Sequence, residues 1–168
     1  MVGIDLVDLS DPNLKARSDR TIPLISHPED VFEKNQFWLL WTAKEAIFKS
    51  YRTNRRFDPK QIPVLIDPNA LTFHSGKIMG KFVISENVIM AIAHHREVNP
   101  IFKIYRRRLK FGESDDVRNQ LAAHCKREFG WDITIGIDAD GLPIILSQNL
   151  IVSFTHHHNY IGFAIPNI

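Results

Sequence analysis

Cysteine is almost missing from the 168 residues. Cys125 stands alone, so an internal disulfide is excluded and the chain suits a reducing compartment. Its neighbours Leu121, Ala122 and Ala123 make it read as a buried structural thiol rather than a nucleophile. No apolar run approaches the roughly 20 residues of a membrane helix, so no membrane partner is expected. The opening Met1-Val2-Gly3-Ile4-Asp5 lacks a basic segment leading into an apolar core, so it does not read as a signal peptide, and a cytoplasmic protein is expected. Neither charge sign dominates: the formal net charge is +2, too close to neutral to imply nucleic acid. What remains is ordinary globular material, 44% hydrophobic and 24% charged, enough to bury a core as one domain or two tightly packed halves.

Glycine and proline are also absent from residues 37–49, where Ala, Leu, Lys and Glu predict a helix. Before it, residues 1–9 predict a strand. Residues 10–27 predict a loop or irregular helix, and Ser26-His27-Pro28-Glu29-Asp30 a helix start running into the next helix with a break near Asn35. Residues 50–60 read as a basic loop carrying Arg52, Arg55, Arg56 and Lys60. From Ile62 the period becomes that of strands: a short one between Pro63 and Pro68, a hairpin from Leu71 to Ser85, and a continuous apolar strand from Val88 to His95. After Asn99-Pro100 the order recurs, with a strand to Leu109, an amphipathic helix from Glu113 to Phe129 stopped by Gly130, and short strands to Ile165. The expected fold class is α+β, built of two similar halves, residues 1–98 and 99–168, each a strand, helix or helices and a small antiparallel sheet.

Two features ask for chemistry. Asp5 is a carboxylate inside an apolar strand, a place an acid avoids unless it faces a cation or hydrogen-bond donors. Glu45 and Lys49 lie four apart on one helix face, with Lys44 beside Glu45. A carboxylate flanked by ammonium groups can hold a metal and a phosphorylated ligand together. Equally, Glu45 and Lys49 can be an ordinary surface pair, and Asp5 can sit at a strand end accepting backbone hydrogen bonds.

Three segments together resemble the motifs of the 4′-phosphopantetheinyl transferases: Gly3-Ile4-Asp5-Leu6-Val7-Asp8, Trp41-Thr42-Ala43-Lys44-Glu45-Ala46-Ile47-Phe48-Lys49, and Gly141-Leu142-Pro143 followed by Val152-Ser153-Phe154-Thr155-His156. In the two-halved members the Ser-His segment comes first; here Thr155-His156 comes last. The resemblance therefore implies a pseudo-dimer of two halves in circularly permuted order, with Ile168 and Met1 close in space. The alternative is the short acyl-carrier-protein-synthase type with extra length, which starts with a similar strand and forms trimers; a monomeric pseudo-dimer and a homo-oligomer both stay open.

The resemblance implies an enzyme, a transferase that moves the phosphopantetheine arm of coenzyme A onto a serine of an acyl or peptidyl carrier protein, in fatty-acid, polyketide or peptide synthesis, and releases adenosine 3′,5′-bisphosphate. It implies Mg2+ held by Asp5 and Glu45, Glu45 as the group that takes the serine proton, Lys49 on the pyrophosphate with Lys44 nearby, and Thr155 and His156 on coenzyme A. Three departures stand out. The acid common two residues after the aspartate is Val7, with Asp8 one further on; the lysine of the Gly-x-Pro turn is Leu142; and His157 and His158 extend His156 into a run that also suits a transition metal. The first two keep open a non-catalytic member that binds carrier protein or coenzyme A. A nucleic-acid module on Lys103 to Lys110 has only Phe102, Tyr105 and Phe111 to stack bases, and is not expected.

Overall fold

Alternation along the first strand decides how the molecule is layered. In β1 (Val2–Asp8) Gly3, Asp5 and Val7 share one face, and Val2, Ile4 and Leu6 the other. The second face packs with Met90, Ile92 and Ala164 into a core of its own. The first face turns to helix α1 (Phe37–Ser50), which approaches so closely that a Cβ at Gly3 would lie 2.0 Å from the Ala46 carbonyl oxygen and 2.6 Å from Ser50 N. Glycine is required there because the obstacle is helix backbone, which cannot step aside. Gly3→Ala should lower stability by about 2–3 kcal/mol, read as a shifted denaturation midpoint; an unchanged midpoint would show that α1 does not press on the strand.

The computed structural model describes residues 1–167 apart from 16, 18, 34, 35 and 54. In the first part of the chain, β2 (Leu65–Asp67), β3 (Thr72–Ser75), β4 (Ile78–Ile84) and β5 (Val88–His95) join β1 in one antiparallel sheet of order β1-β5-β4-β3-β2. Helix α1 lays Phe37, Leu40, Ala43 and Ile47 against this sheet. Further on come β6 (Pro100–Arg106), helix α2 (Glu113–Phe129), β7 (Ile135–Ile137), β8 (Pro143–Ile145), β9 (Leu150–Ile151), β10 (Ser153–His157) and β11 (Tyr160–Pro166). They form two more antiparallel sheets, β10-β11-β6 and β7-β8-β9. Helix α2 packs Val117, Leu121 and Cys125 against Ile161, Phe163 and Ile165. Burial raises the pKa of the Cys125 thiol, consistent with a structural role. Among the described residues no helix is long and apolar enough to cross a membrane.

The open edge of β1 would normally carry unpaired amides. Here Ile4 N and Leu6 N each donate, over 3.1 Å, to Ser153 Oγ and Thr155 Oγ1, and Asp8 N donates over 3.2 Å to His157 Nδ1. A two-residue period on β10 thus answers a two-residue period on β1. The described ends of the chain are held by one short segment: His95 N donates to Met1 O (3.2 Å) and Asn167 N to Asn99 O (2.7 Å). Ile168, expected next to Met1, lies outside the described residues.

The helix expected to start at Ser26 is instead a turn, preceded by a 3₁₀ segment, Asp19–Leu24. Asp30 explains the difference. Its carboxylate accepts from His27 N (2.7 Å) and Val64 N (2.8 Å), so it ties loops together instead of opening a helix. The expected break near Asn35 falls outside the described residues.

In the second core, His124 is 3% exposed and its Nε2 has no hydrogen-bond partner among the described residues. Burial holds its pKa below the usual imidazole value of 6.5; Glu128 raises it, while Lys103 and Arg127 lower it further. A depressed folded-state pKa means that the unfolded chain takes the proton first as pH falls. This contribution to stability should shrink below about pH 6.5 with a slope of up to ~1.4 kcal/mol per pH unit, and His124→Leu should flatten it. Denaturant titrations of both proteins across that range would decide it, and equal slopes would refute it.

Candidate active site

Asp5 lies on the α1-facing side of β1 and is only 6% exposed. The i, i+4 spacing on α1 brings Glu45 and Lys49 over it. Lys49 Nζ donates to Asp5 Oδ1 over 2.7 Å and lies 3.5 Å from Glu45 Oε1. Thr155 Oγ1, arriving from β10, donates to Asp5 Oδ1 over 3.3 Å while accepting from Leu6 N. The carboxylate that the strand left unexplained therefore faces an ammonium and a hydroxyl.

Burial pushes the Asp5 pKa up to about 6, with Lys49 opposing that rise and Glu45 reinforcing it. Burial works to lower the Lys49 pKa, but Asp5 and Glu45 outweigh it and the ammonium is held above its usual range. A raised carboxylate pKa carries a definite sign: folding with Asp5 ionised is least favourable above about pH 6, and the penalty fades below it. A cation brought to Asp5 relieves that penalty.

Asp5 and Glu45 line a cleft of about 200 Å³ together with His156, Arg17, Trp38 and Trp41. Lys49 lines a second cleft of about 220 Å³ with Arg52, Leu142, Pro143 and Ser153. The ion pair joins Asp5 of the first cleft to Lys49 of the second. Of the residues expected from sequence, Asp5, Glu45, Lys49, Thr155 and His156 converge here.

Lys44 does not. Consecutive helix positions are about 100° apart, so a residue next to Glu45 faces another way. Lys44 is completely buried, 2.7 Å from Asp30, and donates to Pro59 O (2.9 Å) and Ile62 O (2.7 Å). Its three N–H donors are taken, so Lys44, expected at coenzyme A, is engaged here as a structural tie.

The open question of a third acid is resolved by alternation. Val7 shares the Asp5 face and is buried and apolar. Asp8 points the other way and is fully buried: Oδ1 accepts from Ser10 N (2.9 Å) and Ser10 Oγ (2.6 Å), Oδ2 from Asn159 N (3.2 Å). Its pKa is lowered because those bonds from Ser10 and Asn159 outweigh the effect of burial. Two carboxylates thus face the cleft, one deep and one at its mouth. That donor set fits a small hard cation such as Mg2+, which takes one or two carboxylates and fills its other positions with water and substrate phosphate. The histidine run does not assemble a softer site. His156 Nδ1 bonds Glu113, His157 takes the Asp8 amide, and no three His, Cys, Asp or Glu side chains gather to hold a metal among the described residues.

Three contributions were not legible in the sequence. Arg52, read as a loop cation, turns inward with φ +54°. It donates to Pro143 O over 3.0 Å and pairs with Asp138, so the residue two past the end of α1 clamps the Gly141-Leu142-Pro143 turn. Arg107 and Arg108 pair with Glu113 and Asp116 on the first turn of α2. Trp38 and Arg17 line the cleft, Arg17 lying over the Phe37 ring at 5.4 Å. The period-two run Ser153, Thr155, His157 was the one available signal, marking a strand with a polar face.

Among known proteins, a family model described as ACPS, the 4′-phosphopantetheinyl transferase superfamily, matches residues 1–93, a span that holds Asp5, Glu45 and Lys49. No curated protein and no solved structure matches the chain.

Proposed function

The chain belongs to the 4′-phosphopantetheinyl transferase superfamily, a family of transferases, and on that footing we propose that it moves the 4′-phosphopantetheine group of coenzyme A onto a serine of an apo carrier protein, with Mg2+ held by Asp5 and Glu45. The observation that carries this reading is the meeting of Asp5, Glu45, Lys49 and Thr155 around one carboxylate, from a strand at the start of the chain, a helix, and a strand near its end. Asp5 and Glu45 would hold the metal, and when bound it would supply positive charge for the pyrophosphate oxygens.

The chain's own residues do the rest. Glu45, 28% exposed at the side chain, is free to take the proton of the incoming serine hydroxyl. The serine oxygen forms a bond to the pantetheine-side phosphorus, the pyrophosphate bridge breaks, and adenosine 3′,5′-bisphosphate leaves with the electron pair. Lys49 steadies the charge that accumulates on the leaving phosphate. Thr155 and Lys49 keep Asp5 oriented, and His156 meets the 3′-phosphate of the donor. Trp38 and Trp41 give the cleft an apolar wall that limits water at the reacting centre.

The same reading includes a pseudo-dimer in permuted order, with halves 1–98 and 99–168. Two observations support it. The strand order β1-β5-β4 recurs as β6-β11-β10, each time first strand, last strand, penultimate strand, with a helix following the first. Met1 and Asn167 both bond to the segment from His95 to Asn99. Leu142 in place of a cation favours a second reading, a member that binds carrier protein or coenzyme A without transfer.

One assay separates the two. The protein is mixed with coenzyme A, Mg2+ and each of several apo carrier proteins, and the carrier is weighed by mass spectrometry. Transfer adds the phosphopantetheine mass and requires the metal. Binding of coenzyme A without mass gain on any carrier would establish the second reading.

A further inference from the structure

Beside the cleft lies a chain of three polar side chains whose work the reaction above does not explain. His156 Nδ1 is 3.0 Å from Glu113 Oε2, and Glu113 Oε1 accepts from Arg107 Nη1 over 2.7 Å. The three come from different elements: β10, the first residue of α2, and the loop after β6. Arg107 is itself held, its backbone N donating to Asn159 O over 2.8 Å. Its buried Nε has no hydrogen-bond partner among the described residues, so the guanidinium is committed to Glu113 through Nη1.

An acid at this place looks wrong for a cleft that takes a polyanion. Glu113 is the first residue of α2, where the helix dipole alone accounts for a carboxylate. The dipole does not account for both oxygens being engaged, one by a guanidinium and one by a ring that lines the cleft. An ionised carboxylate only accepts, so the His156 nitrogen facing it must carry a hydrogen. That leaves Nε2 as the ring nitrogen open to a ligand. Arg107 cancels the charge of Glu113, so the cluster does not repel phosphate.

We propose that Glu113 is a positioning residue for His156: held by Arg107, it fixes the imidazole with hydrogen on Nδ1, leaves Nε2 for the ligand, and so sets the preference of the cleft for a donor that carries a terminal phosphate monoester. The preference for that donor rests on the transferase reading; the fixed tautomer does not. A phosphate monoester offers an acidic oxygen as well as acceptor oxygens, so it can donate a hydrogen to the open Nε2. A ring free to rotate or to place its single hydrogen on Nε2 loses that complementarity.

The test uses the full chain in two arms. In the first, long-range proton–nitrogen NMR of the uniformly labelled protein above neutral pH reads the His156 tautomer. Hydrogen on Nδ1 is expected in the parent and on Nε2 in Glu113→Ala, with Glu113→Asp restoring the parental signature at least in part. In the second, tryptophan fluorescence measures binding of coenzyme A and of dephospho-coenzyme A. The ratio of the two affinities should fall by about tenfold in Glu113→Ala, the scale of one charge-assisted hydrogen bond. A parental ring with hydrogen on Nε2 overturns the positioning, and an unchanged ratio overturns the selectivity. Failure of the transferase reading looks different: it shows as absence of carrier mass gain, whereas a parent that binds neither donor removes the coenzyme A site on which the preference rests. Glu113 is partly exposed, so folding of the variant is expected; Glu113→Gln, with the same shape and no charge, repeats both arms should alanine perturb the helix.

Discussion

Glu45→Gln should cut transfer by about 10³-fold while leaving the fold and its stability essentially unchanged. The two halves of that expectation have separate causes. Stability is spared because the Glu45 side chain is partly exposed and its ion pair to Lys49 is long at 3.5 Å. A partly exposed pair of that kind contributes little. Activity is lost because the amide is the right shape and the wrong chemistry. It accepts no proton from the serine and is a poor ligand for a hard cation, so both roles assigned to one carboxylate disappear together. The measurement is the carrier mass-gain rate at saturating coenzyme A, paired with a thermal melt. Parental turnover in a variant with an unchanged melt would remove Glu45 from the mechanism. Loss of turnover with a collapsed melt would show that the residue holds the structure instead.

Why this much was legible before the structure, and no more, follows from the range of each signal. Asp5 announced itself because an ionised side chain in an apolar strand violates burial preference locally, with no need to know the fold. The Glu45–Lys49 spacing is likewise local, set by the helix period. The α+β class with antiparallel sheets and most strand positions came through for the same reason: β5 opens as an apolar run and α2 ends at Gly130 in the left-handed region. The third acid was also within reach, since alternation alone puts Val7 beside Asp5 and Asp8 opposite.

What failed was long-range. Asp30 looks like the acid of a helix first turn, and only the arrival of Lys44 and the amide of Val64, 34 residues on, turns it into a loop tie. Arg52 has no local mark that separates it from Arg55 or Arg56. Its inward turn depends on carbonyls and an acid about 90 residues away. Glu113 carries the ordinary signature of a helix start, which hid its bond to His156.

The largest stability effect should come from Lys44 and Asp30, the tie between α1 and the two loops that flank it. Side-chain exposure is 0% for Lys44 and 1% for Asp30, at a separation of 2.7 Å. Burial pulls the Lys44 pKa below its usual value, while the hydrogen bond and charge of Asp30 oppose that pull, so the acid is what keeps a cation tolerable in the core. Asp30→Ala should therefore cost about 3–5 kcal/mol, since it strands the ammonium and also frees the amides of His27 and Val64. Lys44→Met should cost less. It leaves Asp30 with two backbone donors, and the groups it orphans are two carbonyl oxygens, of Pro59 and Ile62, that compact loops can turn toward water. The double variant Asp30→Ala with Lys44→Met should be more stable than Asp30→Ala alone, because no charge is then left uncompensated. Chemical denaturation of the three variants supplies the cycle. A double variant that is less stable than Asp30→Ala would mean that the lysine stem and its carbonyl bonds, not its charge, carry the tie. Donor affinity adds an independent check: Lys44→Met should bind coenzyme A as the parent does, and a large loss of affinity in a well-folded variant would return Lys44 to the cleft.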